Sequence, residues 1–413
     1  MSRILLCWEM GSNLGHLSRL LPLGRRLRAR GHSVLAAVRD LASAGPILGP
    51  AGIPFVQAPF TSVAARTSTQ PANYADILRH TGWADAPQLW SVTQAWVNLL
   101  RLFAPDLAVL DHSPTALLAA RCEQTPCVLI GTGFELPPAI APLPCFPGFP
   151  GATLENAARA ETEVLQNANR VMEAARGPSL RALYELFSSE RRWLTTFAEL
   201  DHYNSRPSER YVGPIGEIEQ GERIEWRGAA PHRIFAYLRR DTPNLPVILR
   251  MLANCGDEVV CYGPGITPLP ADAPSGAELK VTARPVDLPH LLRNASLCVS
   301  YAPAGTVTTT LLRGVPQLLA PAHVEAQLTA HRVECVGAGL AVPDALTERR
   351  AAATLQTLLS SSMYKTRAAE FAARYKGFDP GKAADEIVED IQSLLSRRRP
   401  RAVDHSRRAR LEC

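Results

Sequence analysis

The sequence predicts an α/β protein built of two Rossmann-like domains facing each other across a cleft. Three observations support this. Short apolar runs alternate with helix-like stretches along the whole chain, the alternation stops near residues 204–228, and it then starts again. A chain of 413 residues also has room for two domains. Apolar residues make up 46% and charged residues 20%, enough to bury a core in each.

Arg3–Trp8 is the first strand, and the leucines at 17, 20, 21, 23 and 27 form a helical stripe over Leu17–Arg30. Ser33–Val38, Pro54–Gln57, Leu107–Leu110 and Val128–Gly131 continue the strand series. Proline-rich Leu136–Pro150 reads as a loop, and Ala152–Arg176 and Leu180–Ser188 as helices. The second half offers strands at Arg233–Tyr237, Glu258–Tyr262, Leu279–Thr282, Leu297–Tyr301 and Gln317–Ala320. Leu346–Ser396 follows as a helical stretch broken near Gly377–Gly381. The expected organisation is an N-terminal domain over 1–205, a linker over 206–228 and a C-terminal domain over 229–378. A helix over 379–396 is expected to pack back on the N-terminal domain, and a basic tail runs over 397–413.

Composition excludes several classes. No apolar run reaches about 18 residues, so no spanning helix is expected. The opening MSRILLCWEM is too short and ends too acidic for a secretory signal. Nine scattered cysteines without a CxxC pair suit a reducing cytoplasm and argue against a disulfide framework or a zinc site. The net charge of +5 is concentrated in the tail, where seven arginines face only Asp404 and Glu412. The body is therefore neutral, and no nucleic-acid partner is expected. The tail reads as a solvated end or as a weak anchor at the inner face of an acidic membrane.

Two segments carry candidate chemistry. In Cys7-Trp-Glu-Met-Gly-Ser-Asn-Leu-Gly-His16, a loop joins a strand to a helix, with Gly11, Ser12, Asn13 and Gly15 forming the turn. Glycines there allow close backbone approach, and a neutral His16 could accept a hydroxyl proton. The strand through Leu110 ends at Asp111, which could cap the helix beginning near Pro114. His112 and Ser113 follow, but without a GxSxG elbow they do not make a hydrolase. In the second segment, Ser300–Pro316, a strand gives way to a small-residue loop through Ala304 and a helix start at Gly305-Thr306. Free amides and the helix dipole would favour a phosphate there.

Gly15-His16, the leucine-rich helix and Arg30-Gly31-His32 resemble the opening of family 1 and family 28 glycosyltransferases of the GT-B superfamily. Ser300–Pro316 with its Gly314-Val-Pro turn, Pro321–Val333 and Gly337-Ala-Gly-Leu resemble their donor signature, and Tyr211-Val-Gly-Pro214 resembles their linker. The resemblance is dense from 281 to 340 and thin over 58–100 and 135–205. It implies a transferase moving a sugar from a UDP- or dTDP-type donor to a hydroxyl, with inversion, no metal and no cofactor, the nucleotide-sugar being a substrate. It also implies His16 as general base with Asp111 as its partner, and Val286 in the loop whose backbone holds the nucleobase.

The chain departs from the family at several donor positions. Tyr301-Ala302-Pro303 stands for His-Gly-Gly, Thr309 for the ribose-binding glutamate, and Glu325-Ala326 for the acidic-Gln pair that reads the sugar. Pro303 also removes a backbone donor. Arg239 or Arg240, which follow the first strand of the second half, could clamp the diphosphate or form a solvated basic turn. Trp83, Trp90 and Trp96 could line an apolar acceptor pocket or pack in the core. These departures motivate an alternative, a degenerate relative that binds a nucleotide or partner without transfer. A sugar-nucleotide epimerase of the same architecture is a third reading.

Overall fold

Among the described residues, twelve short strands divide into two parallel six-stranded sheets. The computed structural model describes residues 1–11, 14–61, 70–149, 151–189, 191–216, 221–228, 230–266, 279–343 and 345–397. Ser12, Asn13 and the arginine tail beyond Arg397 lie outside the described residues.

The first sheet contains β1 (Arg3–Trp8), β2 (Ser33–Val38), β3 (Phe55–Gln57), β4 (Leu107–Asp111), β5 (Cys127–Gly131) and β6 (Arg192–Leu194). Its order is β3-β2-β1-β4-β5-β6. The second contains β7 (Arg233–Tyr237), β8 (Glu258–Tyr262), β9 (Leu279–Thr282), β10 (Leu297–Ser300), β11 (Gln317–Leu319) and β12 (Gly339–Ala341), in the order β12-β11-β10-β7-β8-β9. Counted within its own half, each sheet has the order 3-2-1-4-5-6 of a doubly wound fold. In each, the strand order reverses between the first and fourth strands, at β1/β4 and at β7/β10.

The inner strands are apolar along their whole length because helices cover both faces. Ile4, Leu5 and Leu6 of β1 are fully buried, alternately in the two cores that sandwich the first sheet. The three-residue edge strands β6 and β12 fall outside the expected strands, whereas β3, equally short, is among them. Over Leu180–Ser188 the expected helix is only a 3₁₀ turn at Leu183–Phe187. Arg121 takes the carbonyls of Glu185, Leu186 and Ser188 at the end of this turn. The helical stretch after Leu346 breaks at Ser361 as well, giving helices Glu348–Ser360, Ser362–Arg374 and Pro380–Arg397.

Two straps join the halves. The outgoing one runs beside β6, where Val212 N–H donates to the Leu194 carbonyl and Gly213 N–H to that of Thr196. Gly213 has φ +75°, and a Cβ there would lie 2.5 Å from the Phe378 ring and 2.9 Å from Phe197. Only glycine fits that crossing. The returning strap is the helix Pro380–Arg397. Its Ile387, Val388, Ile391 and Leu394 share a core with Leu20, Leu23 and Leu27 of helix Gly15–Ala29. Arg26–Asp385 at 3.1 Å and Arg191–Asp390 at 2.8 Å border the packed face.

Candidate active site

At the β1/β4 reversal, two loops emerge side by side. Met10 N–H donates to the His112 carbonyl at 3.0 Å, fixing the loop after β1 to the loop after β4. Helix Gly15–Ala29 begins there and carries His16 into the interior, where its ring stacks on Trp8 at 5.1 Å and 19°. His16 is 6% exposed and Asp111 not at all. His16 Nδ1 lies 3.1 Å from Asp111 Oδ1.

Asp111 does not cap the following helix. Glu9 does so instead, accepting from the amides of Thr115 at 2.8 Å and Ala116 at 3.0 Å. Burial pushes the Glu9 carboxyl up to about 7. The Asp111 carboxylate is gripped by Arg19, one turn along from His16, through Nε to Oδ2 at 2.9 Å and Nη2 to Oδ1 at 2.8 Å. The same Nη2 lies 2.8 Å from His16 Nδ1 and 3.3 Å from Glu135 Oε1. Burial opposes ionisation of Asp111, but Arg19 and then His16 outweigh it and hold the carboxyl well below the usual range. Glu135 behaves alike: burial raises it, and the Arg19 charge brings it below its ordinary value.

His16, Asp111 and Glu135 place ligand atoms within 4.8 Å of one another, a spacing a metal ion could use. The Arg19 guanidinium occupies the space among them, so this chain supplies its own cation. A guanidinium can only donate. Nδ1 of His16 thus has one neighbour that must donate and one carboxylate that must accept. With a proton on Nδ1 shared with Asp111, Nε2 is left as the free acceptor. Nε2 points toward Gly11, where a Cβ would fall 2.6 Å away. Gly11 has φ +83°, so glycine is needed twice over.

A cavity of about 550 Å³ opens beside Gly11 between the halves. Its N-terminal wall includes Met10, Phe60, Ile77, Trp83, Leu89 and Phe134; Arg239, Asp241, His323 and Glu325 face it from the other half. Of the three tryptophans, Trp83 reaches the cavity, Trp96 is fully buried in the core, and Trp90 packs against that core. Thr132 Oγ1 donates to Glu135 at 2.9 Å and lies 3.5 Å from Glu325 Oε1, bridging the halves. Burial and then the Glu135 charge push Glu325 up to about 7.

The second sheet presents its own reversal. Tyr301 follows β10, and helix Ala304–Leu312 starts with no side-chain cap. Gly305 is exposed, with open space around a Cβ position, and Thr306 is buried. These uncapped amides form an anion site in principle. Ala302 keeps φ +62°, the left-handed turn that a glycine would supply. Tyr301 is buried, its hydroxyl 3.4 Å from that of Tyr237, which stacks on Tyr262 at 4.8 Å. Arg239 lies over the Tyr301 ring at 5.4 Å and forks onto Asp241 at 3.0 and 3.1 Å. Arg240 is exposed and donates to the Gly265 carbonyl. The Thr309 hydroxyl bonds back to the Gly305 carbonyl at 2.8 Å. Around Val286, Glu222 pairs with the Pro285 carbonyl and the Asp287 amide, so Val286's own amide and carbonyl face away from that pairing.

Of the residues singled out in the sequence, His16, Asp111, Gly11 and Gly15 gather at one reversal. Tyr301, Ala304, Gly305 and Thr306 gather at the other, with Arg239 and Glu325 on the cavity wall between them. Arg19 and Glu135 were not singled out. The i, i+3 spacing from His16 was the available signal for Arg19.

Residues 248–394 match a family described as "Erythromycin biosynthesis protein CIII-like, C-terminal domain". No curated protein sequence matches the chain. Among solved structures, the kitacinnamycin glycotransferase superposes with a TM-score of 0.70 at 19% identity, over 94% of this chain and 98% of that one. The glycosyltransferase VinC in complex with dTDP gives 0.65 at 18%, over 96% and 100%. The Streptomyces sp. SF2575 glycosyltransferase SsfS6 gives 0.63 at 19%, over 94% and 99%. Residues 248–394 therefore resemble the C-terminal domain of EryCIII-like proteins, and the chain as a whole has the two-lobed GT-B fold of these glycosyltransferases.

Proposed function

We propose that the chain is a glycosyltransferase that moves a sugar from a dTDP- or UDP-type donor to a hydroxyl of an apolar acceptor, with inversion and without a metal. The observation that carries this reading is the His16–Asp111 pair at one strand reversal, buried beside a cavity walled by both lobes. The acceptor oxygen attacks the anomeric carbon as its proton passes to His16 Nε2. The bond from that carbon to the diphosphate oxygen breaks, and the nucleoside diphosphate departs against the amides at Gly305 and Thr306. Asp111 holds Nδ1–H and balances the imidazolium that forms. Arg239, already on the cavity wall, is the nearer of the two arginines to such a leaving group. VinC and SsfS6 were solved with thymidine diphosphate and a further structural neighbour, the spinosyn rhamnosyltransferase SpnG, with spinosyn aglycone, which makes dTDP the first nucleotide to try.

Calorimetric titration of dTDP and UDP, followed by a panel of sugar nucleotides with acceptors, tests the reading. The wild type should bind one nucleotide, and His16→Ala should keep that affinity and lose turnover. Absence of nucleotide binding refutes the donor site, and undiminished turnover in His16→Ala refutes the base. Binding with no transfer by the wild type across the panel would instead favour a binding protein that lacks chemistry. The expected setting is cytoplasmic, and no helix among the described residues is long and apolar enough to cross a membrane. Contact of the Arg-rich tail with a membrane remains a proposal for vesicle binding to test.

A further inference from the structure

His112 takes no part in the chemistry above, yet its setting is unusual. It is a non-glycine residue at φ +47°, in the sparsely populated left-handed region, directly after Asp111. It is 7% exposed and lines the interlobe cavity. Among the described residues its ring is held by packing alone: His16 at 5.7 Å, Tyr74 at 6.0 Å and Phe134 edge-on at 5.9 Å. Its Nε2 and the nearby Tyr74 hydroxyl are both buried without a hydrogen-bond partner. A buried imidazole in a strained turn, with no hydrogen bond to fix it, has no evident structural task. Burial pushes it down to about 4, so at neutral pH it is uncharged and offers one donor and one acceptor.

Its Nδ1 faces the same opening as the His16 base. A Cβ on Gly11 would lie 2.6 Å from His16 Nε2 and 3.4 Å from His112 Nδ1, which puts the two nitrogens within about 6 Å of each other. Gly11 is exposed and lines the cavity, so the absent side chain leaves both nitrogens facing one space. Two oxygens on neighbouring carbons can hydrogen-bond to nitrogens so separated, one to each.

We infer that His112 is an acceptor-recognition residue, and that the acceptor carries two vicinal oxygens on an apolar frame, one presented to His16 for reaction and the other held by His112. The apolar wall of Met10, Phe60, Ile77, Trp83 and Phe134 receives the frame. This deepens the transferase reading, on which the role of His16 rests, but the recognition can be measured without turnover.

The test is a fluorescence titration of the full chain with 6,7-dihydroxy-4-methylcoumarin and its monohydroxy counterpart, 7-hydroxy-4-methylcoumarin. The wild type should bind the diol about tenfold more tightly, the scale of one hydrogen bond in a buried site. His112→Gly, which suits the left-handed backbone, should reduce that ratio to about twofold at most while leaving the monohydroxy affinity unchanged. His112→Asn, also tolerant of this φ, should behave the same way and guards against a folding defect in the first variant. Wild-type protein that shows no preference, including failure to bind either coumarin, overturns the inference, as does a preference that survives in both variants. Because dTDP binding and turnover are scored separately, a protein that prefers the diol yet transfers no sugar would refute the transferase reading alone.

Discussion

Glu325 lies across the cleft from Glu135, and replacing it by glutamine removes the cost of ionising a buried carboxyl beside a second carboxylate. Burial and the Glu135 charge raise the Glu325 carboxyl from 4.5 to about 7. At about 1.4 kcal/mol per pH unit, that rise corresponds to about 3 kcal/mol. The folded state holds this proton more tightly than the unfolded chain does, so stability is lost as pH rises. The cost is absent below about pH 4.5, builds between there and about 7, and is complete above. Glu325→Gln is uncharged throughout, can keep the Thr132 contact, and should therefore gain on the wild type as pH increases. Urea unfolding of both proteins at unit intervals from pH 4.5 to 8.5 reads this directly. The difference should be near zero at the acid end and approach about 3 kcal/mol at the alkaline end. A difference that does not change with pH would refute the carboxylate pairing, and so would a variant that loses stability at pH 8.5.

Other perturbations address neighbouring parts of the site. Gly11→Ala sets a methyl against His16 Nε2 at a left-handed backbone; transfer should fall at least about 100-fold while calorimetry finds nucleotide affinity unchanged. Arg19→Met leaves Asp111 and Glu135 buried without their cation; urea unfolding at pH 7 should show a loss of about 3–5 kcal/mol, shrinking as the medium is acidified and the carboxylates take up protons. Ala302→Gly relieves a left-handed alanine and should stabilise the protein by about 0.5–1 kcal/mol, seen as a small upward shift in melting temperature; a loss of stability would contradict the assigned backbone.

The doubly wound halves were legible because fully buried parallel strands leave continuous apolar runs, as in Ile4-Leu5-Leu6 or Leu107–Leu110. The edge strands β6 and β12 leave no such trace, and β6 owes its place to pairing with β5 and the outgoing linker. His16 and Asp111 were visible because both sit where a strand gives way to a loop or helix, positions that a sheet reversal brings together. Arg19 was hidden among the arginines of its helix, and Glu135 and Glu325 meet across lobes separated by many residues. Thr309 reads as a contact residue in sequence, whereas in the helix its short hydroxyl reaches the carbonyl one turn back. Arg240 differs from Arg239 in direction alone, which only the turn after β7 decides.

The helix Pro380–Arg397 ends the described chain on the lobe where the chain began. Neither half is thus a detachable unit: shortening the protein at residue 379 would strip the partner from Leu20, Leu23 and Leu27 and bare a greasy stripe on the first lobe. Two covalent crossings side by side also restrict how the lobes can move. Gly213 on the outgoing crossing abuts Phe378 at the start of the returning one, so relative movement of the lobes has to be absorbed by the backbone at that one place.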